Sequence, residues 1–146
     1  MENMDRIERS VVIRAPRDRV WRAISDPAAF GAWFRARIDG AFAVGAVVDV
    51  ESTYPGHEGT RWQMRIEAIE PGSLFAFTWP ADEAQQDPAD WNRVEFRLEE
   101  VAEGTRLTVT ESGFDRIPPE RRARAFRGNE EGWSIQVENV RRHVEA

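Results

Sequence analysis

The spacing of hydrophobic positions changes along this chain, and each change marks an element. Residues Ile7–Ile13 alternate around Val11 and Ile13, the period of a strand. Ala15-Pro16 ends that run, because proline disfavours helix at the residue before it and suits a first helical turn. From Pro16 the apolar positions Val20, Trp21 and Ile24 fall at helical spacing; Asp26-Pro27 closes this helix and opens a second short one carrying Phe30, Trp33 and Phe34. Past Gly40 and Gly45 the pattern returns to alternation, clearest at Val47–Ser52, and Thr53–Gly59 reads as a loop. Thr60–Glu70 sets Trp62, Met64, Ile66 and Ala68 against Arg61, Gln63, Arg65 and Glu67, and Pro71-Gly72 supplies a type II turn. Ser73–Trp79 is an aromatic strand and Pro80–Ala89 a polar loop. Asp90–Glu100 carries Asn92, Val94, Phe96 and Leu98 on one face. After Gly104, Thr105–Ser112 carries Leu107, Val109 and Glu111 on its inner face. One charged face and one apolar face describe an antiparallel sheet that is wet on one side and covered on the other.

The cover comes from the last quarter. After Pro118-Pro119 a helical pattern runs to about Glu145, roughly 40 Å at 1.5 Å per residue. Its apolar seam is Ala123, Phe126, Trp133, Val137, Val140 and Val144. Extrapolation between Phe126 and Trp133 lands on Glu130, a charge where the pattern calls for an apolar group. Gly128 and Gly132 flank it, each costing about 1 kcal/mol against alanine in a helix interior. The weak stretch implies a bend, or a place where a backbone or ligand approaches.

Composition narrows the chemistry. The 146 residues suit one domain spanning 1–146, and 41% hydrophobic content supports a core. There is no cysteine and no lysine, so disulfides, zinc–thiolate sites, cysteine nucleophiles and lysine Schiff bases are excluded. No apolar run is long enough to span a bilayer, and the first ten residues are too charged for a signal peptide. A net charge of −6 argues against nucleic-acid binding. His57 and His143 lie far apart, and no metal or cofactor motif occurs. Arg61, Arg65, Arg93 and Arg97 interleave with acids on the outer sheet face and read as a solvated, salt-bridged surface. Arg121, Arg122, Arg124 and Arg127 cluster at the start of the last helix, the unfavourable end for its dipole. Solvation and pairing with Glu120, Glu130 and Glu131 account for them; an acidic partner or anionic headgroup is the alternative.

The order is strand, two short helices, about six antiparallel strands in all, and a long C-terminal helix. This resembles the α+β helix-grip fold of the SRPBCC (START/Bet v-like) superfamily. Within it the chain is similar to single-domain relatives of the heat-shock-protein-90 ATPase activator C-terminal domain. The resemblance is carried by Ala15-Pro16 with Val20-Trp21, Asp26-Pro27 with Trp33, the stretch Gly104–Phe114, and Asn129-Glu130-Glu131-Gly132-Trp133 with Val137 and Val140. It implies a curved sheet wrapped around the terminal helix with a cavity between them. The family implies co-chaperone domains and small-molecule binders, and the superfamily aromatase/cyclases. Fold analogy alone does not choose among these. The eukaryotic activator has an additional N-terminal domain without a counterpart in these residues, which weakens the co-chaperone reading.

The candidate site follows from the seam and the inner sheet face. Glu130 is either a polar anchor or acid/base group in the cavity, or a glutamate that reaches water on a distorted helix. Glu111 and Asn92 share inward parity but lie at strand ends, where alternation often fails. Two inward glutamates would raise at least one carboxyl pKa, as general acids require. Phe126 and Trp133 are core or ligand-stacking residues of the seam, and Trp33, like Trp21, is a packing anchor or cavity rim. The leading expectation is a cytoplasmic binder of a small, hydrophobic or amphipathic molecule. Its ligand-binding residues are then Phe126, Glu130, Trp133, Asn92, Glu111 and Trp33. The alternatives are a cyclase- or hydratase-like enzyme using Glu130, with Glu111 as second candidate, and a protein-interaction module. A protein partner and a homodimer stay open.

Overall fold

The computed structural model describes residues 5–146. Strand β1 (Arg6–Ile13) leads into helices α1 (Arg17–Ser25) and α2 (Pro27–Phe34). Six further strands follow: β2 (Ala36–Asp39), β3 (Val47–Ser52), β4 (Arg61–Glu70), β5 (Leu74–Trp79), β6 (Asn92–Val101) and β7 (Gly104–Ser112). Helix α3 (Pro119–Glu145) ends the chain. All pairings are antiparallel, in the order β1-β7-β6-β5-β4-β3-β2. The helix-grip expectation holds, with seven strands instead of six. The missing strand is β2, an edge strand of four residues in which Ala36 and Ile38 turn inward and Arg37 and Asp39 outward. Four residues are too few to establish a period against the aromatic helix before them.

Local chemistry fixes the corners. The Asp26 carboxylate accepts the Ala29 N–H at 2.9 Å, so one residue closes α1 and caps α2, with Pro27 in the first turn. Gly104 turns β6 into β7 at φ 146°, and a side chain there would meet the Ile13 carbonyl of β1. In β4 the register shifts between Ile66 and Ala68, so strict alternation fails beyond Ile66 and Ile69 packs towards the core. The outer face is ion-paired as expected, with Arg61–Glu51, Arg65–Glu67, Arg93–Glu95 and Arg97–Glu95 contacts. The arginines at the start of α3 tie the chain to itself. Arg121 holds Asp82 at 2.7 Å and Glu83 at 3.0 Å, and Arg122 donates to the Phe114, Asp115 and Ile117 carbonyls.

The inner face of the sheet and the seam of α3 share one core. Phe126, Trp133, Val137, Val140 and Val144 are buried on the helix, facing Val94, Phe96, Leu98, Leu107 and Val109 on the strands. Ala123 is only half-buried and marks where the seam leaves the core. α3 runs unbroken through Gly128 and Gly132, and no neighbour lies within 4 Å of where their Cβ atoms would be. Neither glycine is there for a close approach. Both stand beside open space.

Candidate functional site

That open space is a cleft of about 530 Å³ beside the middle of α3. Its walls are Phe34 at the end of α2, Tyr54 and His57 from the β3–β4 loop, Trp79 at the end of β5, and α3 from Gly128 to Gln136. A second cleft of about 390 Å³ shares Phe34, Trp79 and Asn129 and continues past Trp62 towards Asp82 and Glu83. The helix midpoint itself is packed on the sheet. Trp133, 3% exposed, stacks on Trp79 with centroids 5.7 Å apart and meets Phe96 edge-on at 5.8 Å. The space is therefore an aromatic trough at the helix flank, not an enclosed chamber beneath it.

Directly behind the trough lies Glu111, which is 0% exposed. Its Oε1 accepts the Trp133 indole N–H at 2.8 Å and the Asn129 amide at 2.9 Å. Its Oε2 accepts the Trp79 indole N–H at 2.9 Å, Asn129 at 3.0 Å and Asn92 at 3.1 Å. One carboxyl group thus joins β5, β6, β7 and α3. Asn92, also buried, accepts from Gln85 at 2.8 Å. Gln85 in turn accepts the Ala81 N–H at 2.7 Å and donates to the Asp90 carbonyl, so the network reaches into the β5–β6 loop. Burial pushes the Glu111 carboxyl above the usual carboxylate range, and the N–H donors around it oppose that shift. Asp82, by contrast, is held below the usual range, because Arg121 and the Ala84 N–H outweigh the effect of its burial.

The inward parity of Glu111 and Asn92 is thus observed: both are buried behind the trough wall, which Trp133 itself lines. The other expected site residues lie elsewhere. Glu130 does not enter the core: it pairs with Arg9 of β1 at 3.3 Å, with 36% of its side chain exposed. The reason is helical geometry. Positions 129 and 130 lie about 50° to either side of the seam, so spacing alone does not choose between them. The strand facing each side decides: Asn129 turns to Glu111 and Glu130 to the sheet edge. Phe126 packs edge-on against Phe114 at 5.1 Å and does not line the trough. Trp33 is core, its indole N–H donated to the Ala23 carbonyl at 2.8 Å. With Glu130 in an exposed pair, Glu130→Gln should change stability by less than about 1 kcal/mol in denaturant melts.

Sequence reasoning missed Phe34, Trp79, Asn129, Tyr54, His57 and Trp62. Phe34 and Trp79 carried a signal, since each ends an aromatic run next to a polar break. The loop residues carried none. Among the described residues, the Trp62 indole N–H is buried without a hydrogen-bond partner, next to Phe34 and Trp79.

The family described as Activator of Hsp90 ATPase homolog 1-like protein matches residues 14–145. The chain belongs to this family. Among solved structures, protein MLL2253 from Mesorhizobium loti is similar to this chain, 27% identical, with a TM-score of 0.78 and 96% of each chain covered. DynU16, from the dynemicin biosynthetic locus, is 25% identical with a TM-score of 0.76; the match covers 97% of this chain and 48% of that one. This chain therefore spans about half the length of DynU16. The Aha1 dimer from Colwellia psychrerythraea, 17% identical with a TM-score of 0.74 and 96% of each chain covered, shares the fold. No curated protein matches the chain in sequence. Among the described residues, no helix is long and apolar enough to cross a membrane.

Proposed function

We propose that this member of the Activator of Hsp90 ATPase homolog 1-like family binds a small, mostly apolar molecule in the trough beside α3, and does so in the cytoplasm. The observation that carries this reading is the trough itself. Phe34, Tyr54, Trp79 and Trp133 border an open trough of about 530 Å³, within the usual range for small-molecule sites, and a few polar groups stand at fixed positions. Trp79 and Trp133 are held by a carboxyl group that they alone could not orient, a preorganisation that favours binding. In the adjoining cleft, the partnerless Trp62 N–H offers a donor to an acceptor on a ligand that extends there, after a small shift of the wall. Proton transfer is less well supported. Glu130 stands outside the trough, and both oxygens of Glu111 are occupied by N–H donors behind its wall.

The test is a fluorescence titration with 1-aminoanthracene, an apolar probe. Saturable one-to-one binding with quenching of tryptophan emission is expected. The glycines locate the site. Gly128→Ala and Gly132→Ala place methyl groups in open space on the trough wall, where nothing lies within 4 Å. Each should stabilise the helix by about 1 kcal/mol, while the double variant should bind the probe at least about tenfold more weakly. Unchanged affinity in the stabilised double variant would remove the trough as the binding site.

A further inference from the structure

The trough is apolar in composition but not neutral in potential. Glu111 sits one indole ring behind its wall, fully buried, and its hydrogen-bond partners are the N–H groups of Trp79, Trp133, Asn92 and Asn129. None of these carries a positive charge. Indole N–H groups can only donate, and Trp133 and Trp79 donate to different oxygens of the carboxyl group. These donors favour the carboxylate form while burial favours the neutral acid, and no counter-ion is among the hydrogen-bond partners, so a cation in the trough would favour the carboxylate. Donation of both N–H groups to an anion also moves electron density into the two stacked rings, which strengthens their attraction for a cation.

The rim carries charges of both signs. Glu131 is the carboxylate of the larger cleft and His57 its other ionisable side chain besides Tyr54. In the adjoining cleft Asp82 and Glu83 are paired with Arg121, and Arg61 with Glu51. Arg35 lies over the Tyr54 ring at 5.5 Å, a fixed positive charge beside the β3–β4 loop, so a cationic head belongs away from it, against Trp79 and Trp133. We propose that the ligand of the trough is an organic cation: a protonated or quaternary amine with an apolar body, its charged head against Trp79 and Trp133 and its body against Phe34. This rests on the binding reading above and adds the sign of the charge to it.

The experiment compares probes of equal shape and different charge at fixed ionic strength: benzyltrimethylammonium, its neutral carbon isostere neopentylbenzene, and the anion phenylmethanesulfonate. Each is titrated into the full chain and followed by tryptophan emission. The cation should bind at least about tenfold more tightly than the neutral isostere, and the anion more weakly than either. In Glu111→Gln the preference for the cation should fall to about one. Should that variant not fold, the order cation, neutral, anion in the wild type still decides the sign of the charge. Neutral binding equal to or tighter than cation binding overturns this inference and leaves apolar binding intact. Absence of saturable binding by both overturns the two together. A cation preference that persists in folded Glu111→Gln overturns the assignment to Glu111.

Discussion

Glu111→Ala is expected to cost about 3–5 kcal/mol, although it removes a desolvated ionisable group from the core. The carboxyl group accepts N–H groups from Trp79, Asn92, Asn129 and Trp133, and deleting it leaves four donors, three of them buried, to find other partners. An unsatisfied buried donor costs about 1–3 kcal/mol, and water or a flipped amide offsets part of the total. Glu111→Gln should cost less, about 1–3 kcal/mol. Its one carbonyl oxygen satisfies one indole, and its NH2 opposes the other. Urea melts of the three proteins check this, and a loss below about 1 kcal/mol for Glu111→Ala would contradict it. The pH dependence has a definite sign. Burial raises the Glu111 pKa, so the native chain holds this proton more tightly than the unfolded chain. Its contribution is complete below the ordinary carboxylate value and is lost as pH rises through the raised native value. Asp82, Glu95, Glu138 and Glu145 are shifted down and act in the opposite direction in wild type and variant alike. The gap between wild type and Glu111→Gln should therefore narrow as pH rises.

Trp133→Ala should be comparably damaging, at about 3–5 kcal/mol for a buried aromatic. The side chain stacks on Trp79, touches the Phe34 and Phe96 rings from the side, and fills the middle of the α3–sheet interface. Trp133→Phe separates its two contributions. It retains the phenyl part of the packing and removes the N–H donated to Glu111 together with part of the buried ring, so a cost of about 1–3 kcal/mol is expected. A loss below about 1 kcal/mol for Trp133→Ala would mean that the helix does not rest on this residue.

The fold was legible because its signals are long and periodic. Strand β7 alternates along its whole length, β6 through Leu98 and β4 as far as Ile66, and the α3 seam recurs from Phe126 to Val144. The site was legible only in part. Parity along a strand places Glu111 and Asn92 inward without knowledge of any other element. Rotation about a helix is coarser: Asn129 and Glu130 are neighbours on either side of the seam, and only the packing of α3 against β1 and β7 separates them. Phe126 and Trp33 belong to the core because Phe114 and the Ala23 carbonyl meet them, contacts that no local pattern encodes. Tyr54 and His57 reach the trough through the β3–β4 loop, whose path depends on turns and not on hydrophobic period.

Tryptophan indole resonances test, residue by residue, whether the trough beside α3 binds a small molecule. The chain has six tryptophans, at positions 21, 33, 62, 79, 91 and 133. In a ¹H–¹⁵N titration with 1-aminoanthracene, saturable shifts are expected at Trp62, Trp79 and Trp133, which line the two clefts. Trp21 and Trp91, which line neither, should stay in place. Shifts confined to Trp21 and Trp91, or none that saturate, would contradict binding in the trough.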